Sequence, residues 1–405
     1  MSDFEAIKTV CEKNTKWINE VFEESIMHQI IEKEKLFQEV KNQFAKYSHI
    51  IEDLEESSYV HLIIQYYVHR ILKEDGLINK YLENGMFSDF SVEDHRYIDQ
   101  LIKYPWKFSF SIILDTPSED FYLMEDVFTG ETLLLYSKSV SKLLETYSAR
   151  LWFNLIGFNG ACWQSFGPVY NYQAFDPDDI YFFTTELNPL KNIETDEEIM
   201  EDVESNPVPY MMLISGGSFP MTAHQNDLLI QNASIYDQDT FTTKGLGKDF
   251  IIEYNRNVYK LALKDYGEHP HFSAAYYDEK KKQLLLSAMT DRGFKQLADR
   301  LNQYGYDFPD ESDIHVTIAM LITASKILKK KINVNPYDHL FTKKTTPADK
   351  EMTDKLNKMI SLALPALNAG ETPDYDMLAR ESGLMKDEIT DLLKQISGKI
   401  DNLKK

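Results

Sequence analysis

Histidines are the residues of this chain whose types and spacing come nearest to a catalytic or metal-binding pattern. His269 and His271 flank Pro270, and two imidazoles two residues apart can share a metal ion when the backbone is extended. No third histidine is near them in sequence, and the alternative interpretation is a polar turn before a strand. His224 could act as a general base, although no nucleophile motif accompanies it. If the protein is an enzyme, we expect a hydrolytic site assembled from His224, His269 and His271.

The linear motifs of common cofactors and nucleophiles are missing from the chain. It contains neither a GxSxG nucleophile elbow nor a GxxxxGK[ST] phosphate-binding loop. Its two cysteines, Cys11 and Cys162, are far apart in sequence and form no CxxC pair. This spacing argues against a disulfide framework and against a thiolate zinc site. We therefore expect no metal and no cofactor.

The formal net charge of -22 limits the partners that the chain can bind. A strongly acidic protein repels nucleic acid phosphates and anionic membranes at long range, so we expect neither as a partner. Residues 1–5 lack the basic segment and the apolar run of a signal peptide, so we expect none, and the apolar stretch at 314–328 is too short and too polar to span a bilayer. Two isolated thiols fit a reducing compartment, and we expect a cytoplasmic protein.

An aromatic loop provides a second candidate site. Gly160 and Gly167 bracket Trp163, and Tyr170 follows shortly after. Exposed loops of this kind often carry ligand-contacting aromatic residues, so Trp163 and Tyr170 are candidate binding residues. The alternative is a hairpin whose tryptophan enters the core.

Hydrophobic periodicity predicts the elements that must position these residues. Apolar residues recur at helical spacing through residues 1–105, and alternation with period two first appears at 108–112. Residues 121–127 and 132–136 flank a turn at Gly130, which predicts a β-hairpin. Seven acidic residues and two prolines between 192 and 209 predict an exposed linker.

Together these patterns predict an α+β fold with five regions. The regions are a helical part at 1–105, a mixed α/β part at 106–191, the acidic linker at 192–209, a mixed α/β domain at 210–344, and a C-terminal three-helix unit at 345–405. The first strand of the mixed α/β domain is predicted at 209–215. Residues 121–147 and 272–304 share the order strand, turn, strand, helix, which a degenerate duplication and a coincidence both explain.

Residues 375–393 resemble a helix-turn-helix. Ala379 supplies a small residue where two helices would cross, Gly383 supplies a residue that tolerates positive φ in the turn, and Ile389 and Leu392 supply the inner face of the second helix. Met385 stands where this family normally has Ser or Thr as a helix cap. Ubiquitin-associated three-helix bundles have a similar outline, so the resemblance implies helical packing more than it implies a function.

The second helix of this motif carries Asp387, Glu388 and Asp391 at positions predicted to be exposed. A recognition helix in the major groove uses Arg, Lys, Asn, Gln or Ser at such positions, because acids there would be repelled by phosphates. We therefore expect these three acids to contact a basic protein surface. A transcriptional regulator that uses this unit is the alternative.

Three segments together resemble a group of uncharacterised bacterial proteins that are linked to SEC-C zinc motifs. They are residues 122–131, residues 209–230 and residues 284–292. The cysteine-rich zinc motif itself is absent from the sequence, so the resemblance implies no metal site here. It implies no established activity either.

The sequence as a whole predicts a non-enzymatic cytoplasmic protein that binds another protein. The first alternative is an enzyme, such as a hydrolase, whose site is assembled from scattered residues. The second alternative is the transcriptional regulator. The sequence leaves the oligomeric state open.

Overall fold

The computed structural model describes residues 3–145, 149–217, 222–224, 227–341, 347–368, 372–390 and 392–393. The chain divides into two compact units, Met1–Tyr337 and Asp338–Lys405. Helices and largely antiparallel sheets occupy separate stretches of the chain, so the protein has the predicted α+β fold. Among the described residues, no helix combines the length and the apolar character that crossing a membrane requires.

Helices form the start of the larger unit, as the periodicity predicts. Phe22, Ile26 and Ile30 recur at helical spacing and are completely buried. A π-helical segment, Ile18–Met27, joins the first two helices. The helices are α1 (Asp3–Trp17), α2 (His28–Glu34), α3 (Leu36–Ala45), α4 (Ser48–Ile51), α5 (Glu56–Leu72), α6 (Leu77–Glu83) and α7 (Val92–Lys103).

A closed five-stranded barrel follows these helices. Its elements are β1 (Lys107–Ser118), β2 (Phe121–Asp126), β3 (Thr132–Tyr136), α8 (Lys138–Leu144), β4 (Leu151–Phe158) and β5 (Trp163–Tyr172). The order around the barrel is β1-β2-β3-β5-β4, β1 also pairs with β4, and only β3 and β5 run parallel. The predicted hairpin is β2 and β3, with Phe121 opposite Tyr136. This Greek-key connectivity, with one helix between β3 and β4, is that of the OB-fold.

Alternation along the barrel strands separates two cores. Met124, Leu135 and Trp152 pack together with Val140 of α8 in one buried cluster. Phe108, Phe110 and other residues of β1, β4 and β5 instead join the larger core that the N-terminal helices form. The helices thus cover one outer face of the barrel.

The segment between the barrel and the next sheet is helical, which contradicts the prediction of an exposed linker at 192–209 and of a strand at 209–215. It forms α9 (Pro177–Leu187), α10 (Asp196–Ser205), α11 (Pro207–Met211) and α12 (Ile214–Gly217). Ile199, Val203 and Val208 enter the large core. Pro207 stands at the start of α11, where its fixed φ suits a helix and its missing N–H costs nothing. Asp196, Glu197 and Glu198 lie in the first turn of α10 and Glu201 is exposed, whereas Asp202 is buried.

An antiparallel six-stranded sheet completes the larger unit, in the order β13-β8-β12-β11-β10-β9. Its apolar residues pack against α13, which Thr290 caps by accepting a hydrogen bond from the backbone N–H of Gly293. Strand β13 leads directly into α14. The elements are β6 (Ala223–His224), β7 (Asp227–Leu228), β8 (Ile230–Asp237), β9 (Phe250–Asn255), β10 (Val258–Leu263), β11 (Ala274–Asp278), β12 (Gln283–Ala288), α13 (Asp291–Asn302), β13 (Ile314–Thr317) and α14 (Ile318–Leu328).

The smaller unit is helical. It contains α15 (Asp338–Phe341), α16 (Pro347–Asn368), α17 (Tyr375–Ser382) and a helical stretch at 386–390. Met359 of α16, Leu378 of α17 and Ile389 of the stretch at 386–390 are completely buried in one cluster, which joins these three helices. Gly383 ends α17 with φ 74°, so the prediction of a left-handed residue in this turn is confirmed.

Candidate functional site

A cavity of about 620 Å³ lies between α9, the start of α13 and the residues that lead into β13. Half-buried Tyr181, Phe182 and Ile314 give it apolar surface. Its polar lining is dominated by six carboxylates and one histidine, which are Asp178, Glu186, Asp291, Asp310, Glu311, Asp313 and His315. The lining residues include no lysine or arginine. The cavity therefore suits a positively charged group.

The start of α9 is fixed by a reciprocal cap. The Asp176 carboxylate accepts a hydrogen bond from the backbone N–H of Asp179, and the Asp179 carboxylate accepts one from the N–H of Asp176. Pro177 occupies the first helical position. This cap holds Asp178 in the first turn, at the edge of the cavity.

Asp179 attaches α9 to the junction of β13 and α14. Its buried carboxylate accepts hydrogen bonds from the backbone N–H of Thr317 at 2.8 Å and from the Thr317 hydroxyl at 3.0 Å. Burial, and next the negative charge of Asp176, raise the pKa of Asp179 to about 7. Arg150 lies 3.5 Å from Asp176 and opposes part of this repulsion. Asp179 therefore sets the position of the cavity wall without lining the cavity.

His315 occupies the centre of the acidic lining. Its Nε2 lies 3.1 Å from Asp291 Oδ1, and its Nδ1 lies 2.9 Å from Asp178 Oδ2. These two carboxylates raise the pKa of His315 to about 10, and His315 in turn lowers the pKa of Asp291. The ring is therefore an imidazolium at neutral pH that joins α9, β13 and α13.

The single imidazolium leaves the cavity with an excess of negative charge. It is shared by Asp178 and Asp291, while Lys330 pairs with Glu186 at 2.6 Å and Lys295 pairs with Asp310. Glu311 and Asp313 are exposed beside these pairs. A cationic ligand would therefore meet at least these two carboxylates.

Asp176, Asp178 and His315 are close enough to be considered as a metal centre. One ligand atom from each lies within 4.8 Å of the other two. Two carboxylates and an imidazole are ordinary ligands for a divalent ion. However, ion pairing alone accounts for the short distances between these side chains. A metal ion bound to His315 would also have to displace the proton that Asp178 and Asp291 stabilise on the ring. The sequence-based expectation of no metal stays a prediction.

The histidines singled out from the sequence occupy different environments. His269 is exposed, whereas His271 is buried and its Nδ1 lies 2.7 Å from the Thr290 hydroxyl, beside the cap of α13. The backbone of His224 belongs to the short strand β6, and its side chain is outside the described part of the structure. His271 thus supports a helix start, and the described side chains do not place His269 and His271 in the acidic cavity.

The aromatic candidates belong largely to the interior. Tyr170 is buried and its hydroxyl donates a hydrogen bond to Gln65 Oε1 at 2.9 Å, which places the side chain in the interior and away from an exposed loop surface. Trp163 is partly buried against the barrel cluster, with Lys107 Nζ 5.1 Å from its ring centroid. The structure therefore agrees with the alternative in which the tryptophan packs into the hairpin.

The acidic residues of the C-terminal motif have different roles. Asp387 is exposed. Glu388 is half-buried, and its Oε2 accepts a hydrogen bond from the backbone N–H of Met385 at 2.9 Å. Glu388 therefore caps the helix that Met385 cannot cap with its own side chain. Asp391 lies outside the described residues.

Sequence reasoning did not identify the acidic cavity. Neither residues 176–179 nor His315 is among the candidate residues that motifs and spacing indicate. The Asp-Pro-Asp-Asp order is a cap with proline at the first helical position, and that signal was available. Nothing in the linear sequence indicates that His315 meets Asp178.

Comparison with protein-family models, with curated proteins and with solved structures finds no match to this chain. The class that the fold defines is therefore structural: an α+β protein with a five-stranded barrel, an antiparallel sheet and a helical C-terminal unit.

Proposed function

We propose that this protein binds another protein without catalysing a reaction, and that the acidic cavity receives a basic segment of that partner. The excess of carboxylates over cationic groups in the cavity lining carries this proposal. The protein is proposed to be cytoplasmic, which fits its two free thiols. The resemblance to SEC-C-linked bacterial proteins stays a prediction and adds no activity.

The apolar part of the cavity supports a lysine or arginine side chain as the inserted group. Such side chains bury an aliphatic stem against apolar surface while the charged end meets carboxylates. Tyr181 and Phe182 offer aromatic faces that also attract a cation. A small inorganic cation would leave this apolar surface unused.

The test is a fluorescence anisotropy titration of the full-length protein with a labelled oligolysine peptide. The cavity variant combines Glu311→Gln with Asp313→Asn, because both side chains are exposed and their removal spares the ion pairs of the wall. One charge pair at 4 Å in water contributes about 1 kcal/mol, or about fivefold in affinity. We therefore expect the cavity variant to bind the peptide at least about tenfold more weakly at low salt.

The matched control removes two exposed charges elsewhere, through Asp239→Asn and Glu253→Gln. Glu253 lies on β9, at the edge of the sheet opposite β13. We expect this variant to bind within about twofold of the unmodified protein, because screening weakens distant charges. Equal weakening by both variants would show that the peptide follows net charge and that the cavity is not its site.

A further inference from the structure

The only two cysteines of the chain meet inside the larger unit. Cys11 lies on α1 and Cys162 lies in the loop between β4 and β5, and their Sγ atoms are 3.2 Å apart. Both side chains are buried. The separation of 151 residues had concealed this contact in the sequence.

Asn159 holds the two thiols in this arrangement. Its side-chain oxygen accepts hydrogen bonds from the backbone N–H groups of Ala161 and Cys162, each at 2.9 Å, which shapes the loop. Its Nδ2 donates to Cys11 Sγ at 3.2 Å. Gln164 donates to the backbone carbonyl of Cys11 at 3.1 Å and accepts from Asn159 at 2.7 Å. The sulfurs are therefore positioned by the side chains around them.

We propose that Cys11 and Cys162 are an oxidisable pair that a peroxide converts into a disulfide between α1 and the barrel. The sulfurs need to approach by only about 1 Å to reach bonding distance. This inference is independent of the acidic cavity, because it concerns other residues and another chemistry.

The reaction consumes one hydrogen peroxide and releases two waters. The Cys11 thiolate attacks one peroxide oxygen, the O–O bond breaks, and the departing hydroxide takes up a proton to become water. The Cys162 sulfur then attacks the Cys11 sulfenic acid, which forms the S–S bond. The S–O bond breaks, and the sulfenic hydroxyl group leaves with the Cys162 proton as the second water. Two electrons pass from the two sulfurs to the peroxide.

The surroundings assign different roles to the two thiols. Asn159 Nδ2 lies 3.2 Å from Cys11 Sγ and 3.9 Å from Cys162 Sγ, so its N–H favours the thiolate form of Cys11. The contact with Cys162, and next this hydrogen bond, lower the pKa of Cys11 against the opposing effect of burial. The closer donor therefore makes Cys11 the attacking thiol and Cys162 the resolving one.

A disulfide here would fix α1 on the barrel. Phe4 of α1 packs on Phe121 with ring centroids 5.1 Å apart, and Phe4 and Ile7 join a cluster with Phe121 and Tyr136. These contacts lie at the β2–β3 hairpin and beside the β4–β5 loop, the part of an OB barrel that is generally used for ligands. Oxidation would thus prevent α1 from leaving this face.

The experiment exposes the folded full-length protein to hydrogen peroxide, then denatures it in N-ethylmaleimide and maps the peptides by mass spectrometry. We expect a linked Cys11–Cys162 peptide, loss of maleimide labelling at both sites, and recovery of labelling after dithiothreitol. Exposed Met385 serves as an internal control, because its sulfoxide shows that peroxide acted. Oxidised Met385 together with full labelling of both cysteines would overturn the proposal.

Single variants test the assigned roles. Cys162→Ser removes the resolving thiol, so Cys11 should accumulate sulfenic and sulfinic acid. Cys11→Ser should leave Cys162 largely unmodified at the same peroxide dose. The opposite order of reactivity would overturn the assignment.

The unmodified protein provides a readout that does not depend on variants: hydrogen exchange within α1 should slow on oxidation and return to its initial rate on reduction. Unchanged exchange in a chain shown to be linked would overturn the fixing of α1.

Discussion

At the junction of α9 with β13 and α14, neighbouring groups favour the charged form of His315 and the neutral form of Asp179. His315 has two carboxylates within 3.1 Å, and they stabilise its charged form. Asp179 is buried close to another acid, and its neutral form is favoured despite the hydrogen bonds from Thr317. Both residues fasten α9 to the β13–α14 junction, so the wall of the cavity depends on their protonation states.

The pH dependence of the free energy of unfolding provides a test of the His315 cluster. The pKa of His315 is about 10 in the folded protein, and an unfolded histidine has a pKa near 6.5. The folded state therefore binds the proton more tightly, and this contribution is complete below about pH 6.5 and is lost as the pH rises through about 10. Relative to His315→Gln, the unmodified protein should have its greatest stability advantage near pH 6, and that advantage should shrink towards pH 10.

Urea unfolding at a series of pH values measures this difference. The control is His61→Gln, because His61 is an exposed histidine on α5 whose side chain makes no hydrogen bond or ion pair with the residues that the structure describes. We expect it to change the free energy of unfolding little throughout the series. A His315→Gln effect that stays constant with pH would mean that the ring is not held in its charged form.

The site could be predicted from the sequence only in part. The cap formed by Asp176, Pro177 and Asp179 is local, so a rule about helix starts can identify it. Asp178 and His315 are 137 positions apart, and only the folded chain brings them together. The contact between Cys11 and Cys162 is non-local in the same way, which explains why a spacing rule for cysteines missed it.

At the scale of elements, the local signals were reliable where one short segment decides its own structure. The β2–β3 hairpin, the Thr290 cap and the left-handed Gly383 all follow from residues within a few positions of one another. The strand order of the barrel and the parallel pairing of β3 with β5 cannot be predicted from such local signals. They depend on which strands, distant in sequence, share a core.

Residues 121–147 and 272–304 illustrate the same limit. Both contain a hairpin followed by a helix that begins at a hydroxyl cap, Ser137 in one case and Thr290 in the other. However, β3 pairs in parallel with β5, whereas β12 pairs antiparallel with β8. The same order of strand, turn, strand and helix therefore occurs in two different sheet topologies. This difference favours a coincidence over a duplication of one ancestral segment.

The turn after α17 leads to a prediction for the smaller unit. Gly383 has φ 74°, and its N–H donates to the carbonyl of Ala379 at 3.0 Å. A β-branched residue is strongly disfavoured at this φ, so Gly383→Val should destabilise the unit by roughly 1 kcal/mol or more. Gly383→Asn is the matched variant and should be tolerated better, because asparagine enters the left-handed region more readily.

Hydrogen exchange in the full-length protein separates local from global effects. Gly383→Val should speed exchange in α16 and α17 while α5 and α13 keep their protection. Equal losses for Val and Asn would show that the left-handed backbone is not the cause.

At the scale of the whole molecule, the distribution of acidic residues was misleading. Seven acids between 192 and 209 suggested a boundary, yet the compact units divide at Tyr337. Asp202 is buried and accepts hydrogen bonds from the Tyr210 hydroxyl at 2.8 Å and from Lys191 at 3.0 Å. Composition counts charges but cannot show which of them have partners, and a paired carboxylate can be buried where an unpaired one cannot.

Glu204 makes contacts with two other elements of the larger unit. Its carboxylate accepts a hydrogen bond from the backbone N–H of Phe108 at 2.7 Å and lies 2.7 Å from Nε2 of buried His69. Lys73 donates to its backbone carbonyl at 3.2 Å. One side chain of the supposed linker thus joins α5, β1 and α10.

A glutamate-specific protease tests whether this segment is part of the fold. Glutamates are dense between 192 and 209, so an exposed linker would be cut there first. We expect the folded protein to resist cleavage there, because Ile199 and Val203 must leave the core before the backbone can enter a protease. Glu204→Ala should promote cleavage at the remaining glutamates, since leaving buried hydrogen-bonding groups unsatisfied costs about 1–3 kcal/mol each. Glu201→Ala removes an exposed acid of the same helix and should not. Rapid cleavage between 192 and 209 in the unmodified protein, identified by the masses of the two fragments, would show that this segment is an exposed linker.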